Sequence, residues 1–283
     1  MTVPSLPTLM LEPVVRAALL EDLGRAGDIT TDAVVPLQAR AETALVARQA
    51  GVVAGLDLAA LAFRLVDPAI AIEIDRPDGT RLQAGDRLAT IAGPARGVLT
   101  AERVALNFLG HLSGVASATA TLVDAVKGHK ARICCTRKTM PGLRALQKYA
   151  VRVGGGVNHR LGLDDAVLIK DNHVAAAGGV KPAIAAARRS IGHLVKIEVE
   201  VDTLEQLEEA LAVGVDAVLL DNMDPPTLAK AVGMIDGRAV AEASGRITPT
   251  TAPAIAAAGV DLISAGWLTH SASVLDIGLD WRQ

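Results

Sequence analysis

Between residues 131 and 266 the chain alternates short apolar runs with segments of helical spacing, and this alternation restricts the fold more than any other feature. ARICCT, AVLIK, VKIEVEV, AVLLDN, AVAEAS and DLISAG read as strands; LRALQKYAV, VKPAIAAARRS, LEQLEEALAVG, PTLAKAVGMI and TTAPAIAAAG read as the helices between them. Strand–helix alternation of this length predicts βα units around a parallel sheet. Six or seven such units favour a closed β/α barrel over an open doubly wound sheet. Neither a G-x-G-x-x-G nor a Walker pattern is present.

The first hundred residues follow a different rhythm. Residues 11–23 carry apolar positions at helical spacing, with Gly24 as a stop signal, and GDITTDAVVP reads as a loop. TALVARQAGVVAG, AIAIEIDRPDGTRL and RLATIAGPARGVL read as strands broken at Pro77-Asp78-Gly79 and Gly93-Pro94, with a helix over 56–65. These elements predict a small α+β domain over residues 1–110, ahead of a barrel over 111–270. Thr100 is placed to cap a helix that turns Arg103 outward and buries Val104, Phe108, Leu112 and Val115. The uncharged run 104–123 holds Asn107, His111, Ser113 and Ser117, so it reads as a buried helix rather than a membrane span.

A net charge of −3 over 283 residues argues against a general nucleic-acid binder. The two cysteines, Cys134 and Cys135, are adjacent and suit a reducing cytosol, and Pro4, Pro7, Glu12 and Pro13 interrupt any secretory pattern. A cytoplasmic location is expected. Positive charge is concentrated locally: residues 136–173 hold seven Lys or Arg against three Asp, which calls for an anionic ligand.

Active sites of β/α barrels form at the C-terminal ends of the strands. Here those ends are polar: Arg137 and Lys138, then Lys170, Glu200, Asp221, Ser244 and Ser264. Lys196, Glu198 and Glu200 share one face of a strand, so Glu198 is expected to pair with Lys196 or Lys170, or to meet ligand, while Glu200 and Asp221 suit ligand or Mg²⁺. Ser244-Gly245 and Gly266 follow the last two strands, where phosphate binds through backbone N–H groups. The glycine triplet 154–156 presents Asn158, His159 and Arg160, and the stripe Arg144, Lys148, Arg152 reads as a solvated helix face. On these residues alone the chain is a barrel enzyme for a phosphorylated polyanion. A Schiff-base enzyme using Lys170 or Lys138, or a silent metabolite sensor, remains open.

TRKTMPGLRALQKYAV, GGGVNHRLGLDDAVLIKDNH, KIEVEV, LLDN, EASGRIT and GVDLISAGWLTHSA, together with EDLGRAGDITT near the start, closely resemble the quinolinate phosphoribosyltransferases, also called nicotinate-nucleotide pyrophosphorylases. The resemblance implies an N-terminal α+β open sandwich, joined by the tail 271–283, and a seven-stranded β/α barrel. It implies transfer of phosphoribosyl from phosphoribosyl pyrophosphate to quinolinate with decarboxylation, Mg²⁺ as the cofactor, and a homodimer with shared sites. Substrate would be held by Arg103 (from the partner chain), Arg137, Lys138, His159, Arg160, Lys170, Ser244, Gly245, Ser264, Gly266 and His270. Lys138, Lys170, Glu200 and Asp221 would be catalytic, with Glu200 and Asp221 also on the metal. Cys135, Met140, Ala243 and Trp267 depart from the family pattern.

Overall fold

The computed structural model describes residues 3–281. In chain order its elements are α1 (Thr8–Leu23), α2 (Ile29–Val34), β1 (Arg40–Ala47), β2 (Gly51–Val52), α3 (Leu56–Val66), β3 (Ala71–Ile74), β4 (Arg81–Leu82), β5 (Arg87–Pro94) and α4 (Ala95–Ala125). There follow β6 (Arg132–Cys134), α5 (Arg144–Val153), β7 (Val167–Ile169), α6 (Asp171–Ala177), α7 (Val180–Ser190), β8 (Ile197–Val201) and α8 (Leu204–Val213). The last are β9 (Ala217–Asp221), α9 (Pro225–Ile235), β10 (Val240–Ser244), α10 (Ala252–Ala257), β11 (Leu262–Ser264), α11 (Trp267–His270) and β12 (Ile277–Trp281).

Two compact units result. One holds the described residues up to 120, residues 140–154 and those from 271 on; the other holds 121–139 and 155–270. The chain leaves the first unit near the end of α4. Helix α5, although it lies between two barrel strands in sequence, belongs to the first unit.

The first unit is built on an antiparallel sheet of order β12-β1-β5-β3, in which the C-terminal strand pairs with β1 from Thr43–Trp281 to Ala47–Ile277. Leu45, Ala47, Leu88, Ala89 and Ile91 are buried on it, with Leu58, Ala62 and Phe63 of α3 also in the unit's core. Four local expectations fail here. Residues 29–34 are helix, because the Asp28 carboxylate accepts the Thr31 N–H at 2.9 Å and caps a turn that the β-branched residues disguise. Residues 95–99 are also helix, since Pro94 ends β5 and α4 starts directly after it. Thr100 therefore lies inside α4 and caps nothing; its hydroxyl donates to Asp28 Oδ2 at 3.0 Å. Finally, Lys148 does not face water. Every residue from Leu146 to Val151 is buried, Lys148 to 1 % exposure, so α5 has no solvent face over that stretch.

The second unit is a parallel sheet of order β6-β11-β10-β9-β8-β7. Val157 adds a one-residue parallel bridge to β6: its N–H donates to Ile133 O at 2.8 Å and its carbonyl accepts from Cys135 N–H at 3.2 Å. Side chains alternate as the pleat demands. Ile197, Val199, Val201, Val218, Leu220, Ala241 and Ala243 are buried on one face, leaving Glu198, Glu200, Asp221, Glu242 and Ser244 on the other. Among the described residues no helix is long and apolar enough to cross a membrane.

Candidate active site

Register sets the polar residues at matched heights. Asp221 stands opposite Ser244, Ser244 opposite Ser264, and Ser264 opposite Cys134, so four strand ends close one layer. One step below, Glu200 pairs with Leu219 and Leu219 with Glu242. Above this layer opens a cavity of about 360 Å³ lined by Arg137, Lys138, His159, Arg160, Lys170, Glu200, Asp221, Glu242, Ser244 and Ser264, with Thr136, Leu168 and Leu219 completing it.

The Lys138 stretch is held from two sides. Its N–H donates to Thr136 Oγ1 at 3.0 Å and its carbonyl accepts the Thr269 hydroxyl at 2.8 Å. Arg160 donates from Nη1 to Ala166 O at 2.9 Å, and its pKa is lowered, first by burial and then by the neighbouring Arg137 charge. Two guanidinium groups forced together in this way await an anion. Lys170 Nζ lies 3.9 Å from Glu200 Oε2. Burial raises the Glu200 pKa, Lys170 opposes that, and Asp221 adds to it. Arg137 Nε and Glu242 Oε1 are buried without a hydrogen-bond partner among the described residues. Such orphaned polar atoms around one cavity mark a ligand's place.

Glu198 does not pair with a lysine. Its carboxylate takes His159 Nε2 at 2.8 Å, while Lys196 turns to Asp216 at 2.5 Å near the surface, where water lowers the cost of its charge. His159 Nδ1 accepts the Arg160 N–H at 2.8 Å, so both ring nitrogens are engaged. The ring thus links the Arg160 backbone to Glu198.

The glycine loops flank the cavity. Gly245 adopts φ 102, and a Cβ there would run into the Asn222 side chain; a Cβ on Gly266 would come within 2.9 Å of Lys138 Cδ. Gly245 needs glycine, for its backbone conformation and for close approach, whereas at Gly266 the flexible Lys138 side chain could yield. Trp267 Nε1 donates to Ile247 O at 2.8 Å, which ties one loop to the other. His270 is exposed, with Nε2 beside Gly266. Arg103 belongs to the first unit, exposed on α4, and is not part of the lining. Cys134 and Cys135 are buried, with Cys135 Sγ 3.4 Å from Asn158 Oδ1.

Glu242 escapes a reading confined to strand ends, yet it is 1 % exposed and lines the cavity. Its signal is period two: it lies on the face of Ser244, one step inward. Burial first, and then the Glu198 charge, push its pKa up to about 7.

Comparison with known proteins places this geometry in context. The N-terminal domain of quinolinate phosphoribosyl transferase matches residues 28–113, and the C-terminal domain matches residues 115–280. The nicotinate-nucleotide pyrophosphorylase (carboxylating) of Mycobacterium leprae is 50 % identical over 274 residues, covering 94 % of this chain and 95 % of that one. Among solved structures, NadC from Streptococcus pyogenes superposes with a TM-score of 0.94 at 43 % identity, covering 99 % of this chain and 100 % of its own. The nicotinate-nucleotide pyrophosphorylase of Francisella tularensis gives 0.94 at 36 % identity, covering 100 % and 99 %.

Proposed function

The chain belongs to the quinolinate phosphoribosyltransferase family, which joins phosphoribosyl pyrophosphate to quinolinate with loss of CO₂ in NAD biosynthesis, and we propose that the strand-end cavity is where it does so. The observation that carries this reading is the convergence of Arg137, Lys138, Arg160 and Lys170 with Glu200 and Asp221 in one cavity. Both substrates are polyanions, and a crowded cation cluster stabilises them most strongly where water is scarce.

Arg137 and Arg160 suit the two carboxylates of quinolinate, since a guanidinium fork meets a carboxylate with two hydrogen bonds. Lys170, and Arg103 of the partner subunit in a homodimer, complete that subsite. Lys138 faces the pyrophosphate, with His159 fixing Arg160 beside it. Ser244, Gly245, Ser264, Gly266 and His270 receive the phosphate through hydroxyl, ring and backbone donors.

Glu200 and Asp221 fit Mg²⁺, which takes one or two carboxylates plus substrate phosphate oxygens. When bound, the ion would neutralise charge on the pyrophosphate. The pyridine nitrogen attacks C1 of the ribose as the C1–O bond breaks and pyrophosphate leaves with the electron pair. Glu200 and Asp221 orient the ribose, and their negative charge favours the cationic sugar centre. The ring nitrogen is then cationic. It stabilises the electron pair left on C2 when the adjacent carboxylate departs as CO₂.

Incubation with Mg²⁺, quinolinate and phosphoribosyl pyrophosphate tests the reading: nicotinate mononucleotide, pyrophosphate and CO₂ should appear in equal amounts. Absence of product over a range of metals and pH would overturn it.

A further inference from the structure

The proposed reaction leaves a carbanion at C2 that must gain a proton, and none of the roles assigned so far supplies one. The lysines and arginines of the cavity are anchors for anions, and Glu200 and Asp221 are charged metal ligands. Glu242 is different. It is almost fully buried, its Oε1 has no hydrogen-bond partner among the described residues, and it lines the cavity from below. It also lines a second cavity of about 410 Å³ on the other side, whose walls include Cys134, Ala166, Ile197, Val240 and Leu262. The Glu242 side chain thus separates the reaction chamber from a lower space.

The proton inventory around it follows from the hydrogen bonds. Arg160 N–H donates to His159 Nδ1, so the ring proton sits on Nε2 and is directed at Glu198. Glu198 is accordingly the acceptor of that bond. Possible ligand atoms of His159, Glu198 and Glu242 all lie within 4.8 Å of one another. Two carboxylates this close and this buried do not both ionise readily, and Glu242, with burial of 1 % exposure against 12 % for the Glu198 side chain, keeps the proton. A metal ion on the same three residues would need the Nε2 lone pair while Nδ1 still accepts a hydrogen bond, which leaves no site for the ring proton.

We propose that Glu242 is the general acid that protonates C2 after CO₂ has left, a role that rests on the proposed function. The C2–carboxylate bond breaks, CO₂ departs, and the electron pair remaining on C2 takes the Glu242 proton. The resulting carboxylate is reprotonated from water through the lower cavity, whose lining includes Lys196 and Asp216. The groups facing Glu242 act on this step in opposite senses. Glu198 on β8 holds the proton on Glu242, whereas His159 and the Ser264 hydroxyl ease its release. Ser264 of β11, whose hydroxyl reaches the Glu242 side chain, steers the carboxyl.

Single-turnover rapid-quench measurements test this by following pyrophosphate and, from carboxyl-labelled quinolinate, CO₂, for the wild type, Glu242→Gln and Glu242→Asp. Without a proton to capture the carbanion, CO₂ recombines, so the Glu242→Gln variant should release pyrophosphate within about threefold of the wild-type rate and CO₂ on the order of 10²-fold more slowly. The N-ribosylated dicarboxylate should accumulate. Glu242→Asp, which keeps an acid, should recover part of the CO₂ rate and show a larger solvent deuterium effect on CO₂ than on pyrophosphate. Equal losses of both products in either variant, or an unchanged ratio, would overturn the proposal and make Glu242 a structural residue. If Glu242→Gln melts before assay, the product ratio in Glu242→Asp decides. A wild type that makes no nicotinate mononucleotide fails the underlying function instead.

Discussion

Arg160 combines burial, a backbone anchor and a like-charged neighbour, and each of these has a consequence for substrate. Its Nη1 is committed to Ala166 O, so the rest of the fork is aimed rather than free to swing. Replacing it with lysine keeps charge and loses the planar fork. Arg160→Lys should raise the KM for quinolinate about tenfold, equivalent to roughly 1.4 kcal/mol, and Arg160→Ala by on the order of 10²-fold. The KM for phosphoribosyl pyrophosphate should move less than about threefold in both, which initial-rate kinetics with each substrate varied in turn will show. Glu200→Gln should behave in the opposite way, lowering kcat by on the order of 10²-fold with little change in quinolinate KM, because its charge matters most as the sugar centre becomes cationic. Glu200, Asp221 and Lys170 could be read from the sequence because each closes an apolar run. Glu198 and Glu242 could not be assigned so directly. Alternation turns both inward, but only the fold brings His159 to Glu198, across 39 positions of chain.

At the scale of elements, strands and long helices announced themselves through spacing, whereas short or unusually placed elements did not. Helix α2 has six residues, and Ile29, Thr30 and Thr31 give it poor intrinsic propensity; it exists because Asp28 caps it and is itself held by Thr100 of α4. Asp28→Ala should therefore cost about 1 kcal/mol in unfolding free energy, read as a lower denaturant midpoint with an unchanged slope. Asp28→Asn, which retains a capping oxygen, should recover most of the loss. The Asp28 pKa is lowered, chiefly by its bonds to Thr31, so this stabilisation is present above the ordinary carboxylate value of 3.8 and is lost as pH falls through the lower folded value. Helix α5 shows the other limit of local pattern. Arg144, Lys148 and Arg152 have the spacing of a wet stripe, but Gln147 bonds His111 and Tyr149 bonds Asp78, partners 36 and 71 positions away that enclose the helix. No window of sequence contains that information.

For the whole molecule, the protonation of one buried carboxyl and the sharing of one arginine have global readouts. Because the folded pKa of Glu242 is raised from 4.5 to about 7, the native state binds this proton more tightly than the unfolded chain does. Its contribution to stability is greatest below pH 4.5 and is lost as pH rises toward 7, by roughly 3 kcal/mol at most. Glu242→Gln removes that dependence, so its denaturant midpoint should gain on the wild type between pH 5 and 8. The assignment of α5 and the C-terminal strand to the first unit shows that units are assembled from distant pieces of chain, which composition along the sequence does not mark. Arg103 raises the same issue between chains. It is exposed on α4 of the first unit, outside the cavity lining, yet the proposed quinolinate subsite requires it from a second copy. If so, Arg103→Ala and Lys170→Ala chains should each be inactive as homodimers and should complement when mixed. A heterodimer places both lesions in one site and leaves the other intact. With random exchange about half the dimers are mixed, so activity should recover to about a quarter of the wild-type value per site, the statistical result for closed twofold pairing. Recovery should follow the rate of subunit exchange, measured with differently tagged chains. No recovery despite demonstrated exchange would place Arg103 in the active site of its own copy, and an active Arg103→Ala homodimer would place it in neither.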